Sequence, residues 1–190
     1  RASALNRLRR ALAETQIVGP AANVEFLAAV AGHPAFAAAD IDTRFIERHR
    51  HDLLPEKRPV PSRMLALACL DVLLRRNREA MAAAARSADP HSPWHLTTGW
   101  RLNDDNYHTL SFRDAERTVS VTVHYRADGV LLELPGESGP LPAAGEIDAA
   151  GDLIAIVGGL RLKATIVRSG DEITVIAGGA SHRLLLDDPA

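Results

Sequence analysis

An α+β fold is predicted from the sequence: short helices at the N-terminus, then a long central helix enclosed by a roughly eight-stranded antiparallel β-barrel. Three observations carry it. The run from Met64 to Leu74 is apolar at ten of eleven positions, the pattern of a helix covered by protein on every side rather than on one stripe. From Asp89 onward the apolar period changes from helical spacing to alternation. Turn signals then recur about every 8–12 residues with no helix between them, so the strands connect as antiparallel meanders. An all-round apolar helix needs an enclosure, and half-apolar strands need something to enclose. A closed barrel also leaves no strand edge to protect.

The elements follow in chain order. Ser3 caps a helix over residues 4–14 with Leu5, Leu8 and Leu12 on one face. Gly19-Pro20 breaks the chain, and Asn23 caps a helix from Val24 to Val30 whose apolar side is Phe26, Leu27 and Val30, stopped by Gly32. His33-Pro34 reads as a turn. Residues 41–47 lead into the charged stretch 48–52, a solvated helix end. Residues 55–61 hold three prolines in seven positions, a linker that no helix interior tolerates.

Pro61 and Ser62 then start the long helix, 62–86, which has no Gly or Pro and is rich in Leu, Ala, Arg and Glu. Its second half, Arg75-Arg76-Asn77-Arg78-Glu79 and Ala80 to Ala85, is more polar and is expected to protrude or to meet a second surface. Val119, Val121, Val123 and Tyr125 alternate with Ser120, Thr122, His124 and Arg126, the clearest strand; Leu160, Leu162, Ala164 and Ile166 repeat the pattern. Turns are predicted at 103–106, 127–129, 136–139, 150–152, 169–171 and 178–179.

The composition is that of an ordinary globular chain of 190 residues, 46% hydrophobic and 24% charged. The net charge of −2 conceals a division: residues 1–88 hold 14 basic and 9 acidic side chains, residues 89–190 hold 8 and 15. Cys69 stands alone, so no internal disulfide forms and a reducing compartment is expected. No apolar stretch approaches the roughly 20 residues that span a bilayer. The chain opens on Arg1 rather than Met, and Arg7, Arg9 and Arg10 precede no signal core, so it reads as a piece of a longer protein.

A search for chemistry returns structural readings. His49 and His51 point about 200° apart on a helix and share no metal. Pro90 and Pro93 forbid the helix that would align His91 with His95. Gly158-Gly159 and Gly178-Gly179 lack the lysine of a phosphate loop and read as turns. Cys69 is a small buried hydrophobe, and Asp104-Asp105 and Asp187-Asp188 are solvated loop acids. Nucleic acid is excluded as a partner, because aromatics are 4% of the chain and the barrel half is acidic. No catalytic, cofactor-binding or metal-ligating residue is assigned. The remaining candidate is a docking loop at Asp89 to Trp94, with His91, Ser92, Pro93 and Trp94 as partner-binding residues. Trp94 either anchors a partner, burying a large area on few rotatable bonds, or folds back onto its own barrel. A rival reading is a stand-alone β-barrel binding a small apolar ligand.

Two stretches carry a family resemblance. Ala11-Leu12-Ala13-Glu14-Thr15-Gln16-Ile17-Val18-Gly19, Asn23 with Phe26-Leu27, His33-Pro34-Ala35-Phe36 and Thr43 to His49 resemble the end of the biotin carboxylase domain of biotin-dependent acyl-CoA carboxylases. Ser92-Pro93-Trp94 and Gly99-Trp100-Arg101-Leu102-Asn103 resemble the bridging (BT) domain of the α subunit of 3-methylcrotonyl-CoA carboxylase. The resemblance implies residues 1–54 as a helical remnant of the carboxylase domain, 55–61 as linker and 62–190 as the bridging domain, with a barrel over 99–188. It also implies a "hook" loop over 86–98 that docks the carboxyltransferase β subunit. Biotin, ATP and Mg are implied for the parent subunit, a ligase, and not for this fragment, which is expected to be inactive by itself; its other partners are the remaining domains of its own α subunit. The biotin acceptor of the family is a lysine between two methionines, and neither Met64 nor Met81 has a lysine beside it. A bacterial cytoplasm is the expected location.

Overall fold

The computed structural model describes residues 1–15, 17–18, 23–54, 59–87, 89, 92 and 106–187. The chain divides into two compact units, Arg1–Pro59 with Gly178–Ala180 and Val60–Ala177 with Ser181–Ala190. Among the described residues no helix is long and apolar enough to cross a membrane.

The first unit is helical: α1 (Ala2–Glu14), α2 (Val24–Gly32), α3 (Pro34–Ala37), α4 (Phe45–Arg48) and α5 (Arg50–Leu53). Several sequence expectations are corrected here. Ser3 does not cap α1; the Arg1 carbonyl accepts the Leu5 N–H at 3.0 Å, so the helix starts earlier, with Ser3 in its first turn. The Arg1 guanidinium donates to the carbonyls of Phe36 and Ala37, fixing that residue. Asn23 makes no side-chain cap bond, and α2 runs through Gly32. His33-Pro34 is not a simple turn: Nδ1 of His33 accepts the Ala35 N–H at 3.3 Å and Pro34 occupies the first helical position, where its missing donor costs nothing. The charged stretch forms two single turns that break at His49 instead of one helix end. Phe45, Leu53 and Ala31 are buried, and the rings of His33, Phe36, Phe45 and His49 cluster around Phe45. α1 buries no residue, and Leu8 (45%) and Leu27 (41%) of the expected apolar faces are exposed.

The second unit is a helix inside a barrel. α6 (Ser62–Arg86) has 25 residues, about 37 Å at 1.5 Å per residue. Eight consecutive residues, Leu65 to Val72, are buried on all faces, whereas Asn77–Glu79 and Met81–Ala83 are exposed. Eight strands surround it in sequence order: β1 (Tyr107–Asp114), β2 (Arg117–Arg126), β3 (Gly129–Glu133), β4 (Leu141–Ile147), β5 (Leu153–Val157), β6 (Leu160–Ser169), β7 (Glu172–Ala177) and β8 (Ala180–Leu186). All pairings are antiparallel, and β1 closes the barrel on β8 through Phe112 opposite Leu186. In β2, Val121 and Val123 point inward, as the alternation requires; Ala164 and Ile166 do so in β6.

The helix lies off-centre, closest to β4, β5, β6 and β7. Side-chain size explains this. Ala143, Gly145, Ala155 and Ala164 are small residues on the inner face of β4 to β6, letting the backbones approach, while Leu110, Phe112, Val121, Val123 and Leu132 fill the opposite side. The Gly158-Gly159 and Gly178-Gly179 pairs close hairpins with positive φ at both residues, the conformation of a two-residue turn that matches strand twist. The turn after β1 carries no glycine signal, and Ala115 takes φ 54° there. Pairing of Asp114 with Arg117 imposes it. The predicted turn at 103–106 lies outside the described residues apart from Asn106.

Candidate docking surface: the barrel mouth where the helix leaves

Antiparallel connectivity assigns each end of the barrel its own turns. The helix enters at the end holding the β1–β2 and β3–β4 turns: the Val60 N–H donates to Oδ2 of Asp114 at 2.9 Å, and the Ser62 hydroxyl bonds a carboxylate oxygen of Glu137. It therefore leaves at the other end, framed by the β2–β3, β4–β5 and β6–β7 turns and by the start of β1.

Polar groups collect at this exit. Asp71, 1% exposed, interrupts the apolar helix run. Its Oδ1 accepts from Nε of Arg75 at 2.8 Å and its Oδ2 from Nε of Arg168 at 2.8 Å, so each carboxylate oxygen takes one charge-assisted bond. Arg168 reaches it because it continues the inward row Leu162, Ala164, Ile166 of β6. On the β1–β2 side, the inward Tyr125 hydroxyl bonds Nδ1 of His108 at 2.9 Å, while on the outer wall Nε2 of His124 bonds Oε1 of Glu133 at 3.0 Å. Burial pushes the Tyr125 hydroxyl up to about 12, the Cys69 sulfur adding to the shift and the Arg76 cation opposing it. Burial also drives the Cys69 thiol well above its ordinary range, which leaves it inert as a nucleophile. Among the described residues of the mouth, none pairs an activated nucleophile with a base.

Of the sequence-predicted docking residues, Ser92 is described: it is half-buried, and its N–H donates to the Asp89 carbonyl at 3.3 Å, while the Asp89 N–H donates to the Ser87 hydroxyl at 3.2 Å. His91, Pro93 and Trp94 lie outside the described residues. Sequence reasoning missed the Asp71–Arg168 pair, although both signals were present: an acid inside an apolar helix run, and a cation in phase with the inward residues of a strand.

Histidines also meet in the first unit. His33, His49 and Asp52 bring ligand atoms within 4.8 Å of one another, a grouping that the His49/His51 comparison did not anticipate. Nδ1 of His33 accepts the Ala35 N–H, and its Nε2 faces Oδ2 of Asp52 at 3.7 Å. The cluster reads as a histidine–carboxylate pair within the ring cluster around Phe45.

The geometry defines a class first: a closed barrel filled by its own helix, with a polar mouth where the helix leaves and no reaction centre among the described residues. Residues 61–188 match the family model described as the BT domain of the methylcrotonyl-CoA carboxylase alpha subunit, and residues 1–48 match the biotin carboxylase C-terminal domain. The chain belongs to this BT-domain family. Mitochondrial methylcrotonoyl-CoA carboxylase subunit alpha of Mus musculus is 33% identical over 129 residues, covering 68% of this chain and 18% of that protein. The protein of the same name from Dictyostelium discoideum has the same identity and coverage. That of Oryza sativa subsp. japonica is 28% identical over 186 residues, 87% of this chain and 24% of its own length. The chain thus spans about a fifth of the length of these relatives.

Proposed function

We propose that this chain is the assembly region of the α subunit of a biotin-dependent acyl-CoA carboxylase acting on 3-methylcrotonyl-CoA, and that it docks the biotin carboxylase to the carboxyltransferase β subunit. The observation that carries this is the BT-domain match over residues 61–188 on a helix-filled barrel whose helix runs out through one mouth. In this reading residues 1–54 end the carboxylase domain, 55–61 link, and 62–190 bridge, with His91, Ser92, Pro93 and Trp94 meeting the partner. Exposed Leu8, Leu27, Ile41, Ile46 and Leu54, all in the first unit, fit a unit that ends a larger domain and is covered by it. The parent ligase carboxylates a protein-bound biotin with ATP and bicarbonate and then the acyl-CoA, a step of leucine degradation. Holding both catalytic centres on one bridge raises the effective concentration of the travelling biotin.

Biotin, ATP and Mg belong to the parent. This chain does not fit biotin attachment: of its two lysines, Lys57 lies outside the described residues and neighbours no methionine, and Lys163 is in mid-strand, bonded to Asp152 at 2.8 Å. That bond raises the Lys163 ammonium above its ordinary range, the opposite of a nucleophilic amine. A bacterial cytoplasm remains the proposed location; the relatives are mitochondrial by name, and either compartment keeps Cys69 reduced. The rival, a ligand-holding barrel, loses its lumen to Leu65–Val72.

Co-expression of the chain with a carboxyltransferase β subunit tests the proposal. A stoichiometric complex on size exclusion is the expected result. Elution of two separate components overturns it.

A further inference from the structure

Side-chain size sets which wall the helix leans on, but the apolar run of the helix gives packing little to tell one register from the next. Leu65 to Leu70 are leucine, alanine and cysteine on every face, and apolar contacts carry no direction. A slip of one residue moves a helix about 1.5 Å along its axis and turns it about 100°, exchanging one apolar face for another. Asp71, the polar residue inside the buried run Leu65–Val72, makes directional contacts. Asp71 accepts from Arg75 on its own helix and from Arg168 on β6, across 97 residues of sequence. The side chains of Asp71, Arg75 and Arg168 are 1%, 35% and 26% exposed, so the carboxylate is sealed while the guanidinium groups border the mouth. Nη2 of Arg168 is buried without a hydrogen-bond partner among the described residues, so the cluster is not optimised for stability. Buried ion pairs replaced by apolar residues of similar volume often leave stability unchanged or raised, and their best-attested use is to specify register.

We propose that Asp71 and Arg168 form a register lock, positioning residues that fix the height and azimuth of α6 in the barrel and through them the point from which the proposed docking loop, residues 86–98, departs. The second part of the proposal rests on the docking reading above. Arg75 supports the lock by holding the second carboxylate oxygen, so that the carboxylate cannot swing away from β6. About fifteen residues separate Asp71 from the end of α6, roughly 22 Å of rigid helix. A wrong azimuth at Asp71 turns every side chain on that exposed length to another face.

The test uses the whole chain and needs two label sites. Cys69 is fully buried and does not compete for thiol reagents, whereas Met81 (65%) and Ile156 (53%) are exposed. Nitroxide labels on Met81→Cys and Ile156→Cys report helix position against the barrel wall through electron–electron dipolar spectroscopy. The labelled parent is expected to give one narrow distance. Combined Asp71→Leu and Arg168→Met is expected to keep the melting temperature within a few degrees yet broaden or split the distance, and to weaken β-subunit binding about tenfold. A narrow, unshifted distance in the folded double variant overturns the lock. A displaced helix with unchanged partner affinity overturns its link to docking. A parent chain with one distance and no partner binding refutes the docking reading and leaves the lock standing. If the double variant does not fold, Arg168→Lys, which keeps the charge but lacks Nε, is judged by the same distance criterion.

Discussion

The backbone N–H of Val60 and the carboxylate of Asp114 meet at 2.9 Å across 54 residues, joining the residue before the long helix to the last residue of β1. Pro59 and Pro61 carry no N–H, so Val60 supplies the one backbone donor in that three-residue stretch. The partly buried bond therefore decides how the chain enters the barrel. Asp114→Ala is expected to lower the unfolding free energy by about 1.5–3 kcal/mol, the range for hydrogen bonds to charged groups. Asp114→Asn, which keeps an acceptor oxygen, is expected to cost less. Urea midpoints distinguish them; equal midpoints for Ala and parent refute the role.

The close β4–β5 pairing on the inner wall gives a testable size limit. A Cβ on Gly145 would stand 2.8 Å from the Ile154 carbonyl oxygen and 3.2 Å from the Ala155 Cβ, inside the space that the small residues of β4 and β5 keep open. Gly145→Val is expected to destabilise by about 1–3 kcal/mol through overpacking. Gly139 has nothing within 4 Å of its virtual Cβ and no left-handed φ, so Gly139→Ala is the control, within about 0.5 kcal/mol of parent. Calorimetry showing equal melting temperatures for Gly145→Val and parent contradicts the packing account.

The helix and barrel are legible in the sequence because burial imposes two different periods. Leu65 to Val72 lack any polar face, and Val121 and Val123 alternate with polar residues. Short helices are less legible: α3 depends on a ring nitrogen of His33 reaching Ala35 N–H, and the α4/α5 break at His49 occurs in a stretch without Gly or Pro. Ala115 adopts its left-handed φ because strand pairing demands it, against its own preference. The ion cluster falls between the two cases. Asp71 is visible as a flaw in the apolar run, but no local pattern says that its partner lies on β6.

Tyr125 gives the mouth a signature at alkaline pH. With its folded value pushed up to about 12 by burial and its ordinary value at 10, the folded state retains the phenol proton over an interval in which the unfolded chain has lost it. The contribution is intact below about pH 10 and declines as pH rises from 10 towards 12. Denaturant midpoints at about pH 9 and about pH 11 are expected to differ less in Tyr125→Phe than in parent. Identical declines in the two proteins refute the assignment.

Trp94 is one of two tryptophans and follows Pro93 in the proposed docking loop. An aromatic anchor of that kind, desolvated at the centre of an interface, loses about 2 kcal/mol or more on truncation, roughly thirtyfold in affinity. Trp94→Ala is therefore expected to weaken the complex with the β subunit by at least ~2 kcal/mol in titration calorimetry while leaving the melting temperature of the chain unchanged. A side chain folded onto its own barrel behaves in the opposite way, because its truncation removes apolar burial from the fold itself. Equal affinity together with a lowered melting temperature assigns Trp94 to the barrel and takes the anchor out of the docking proposal.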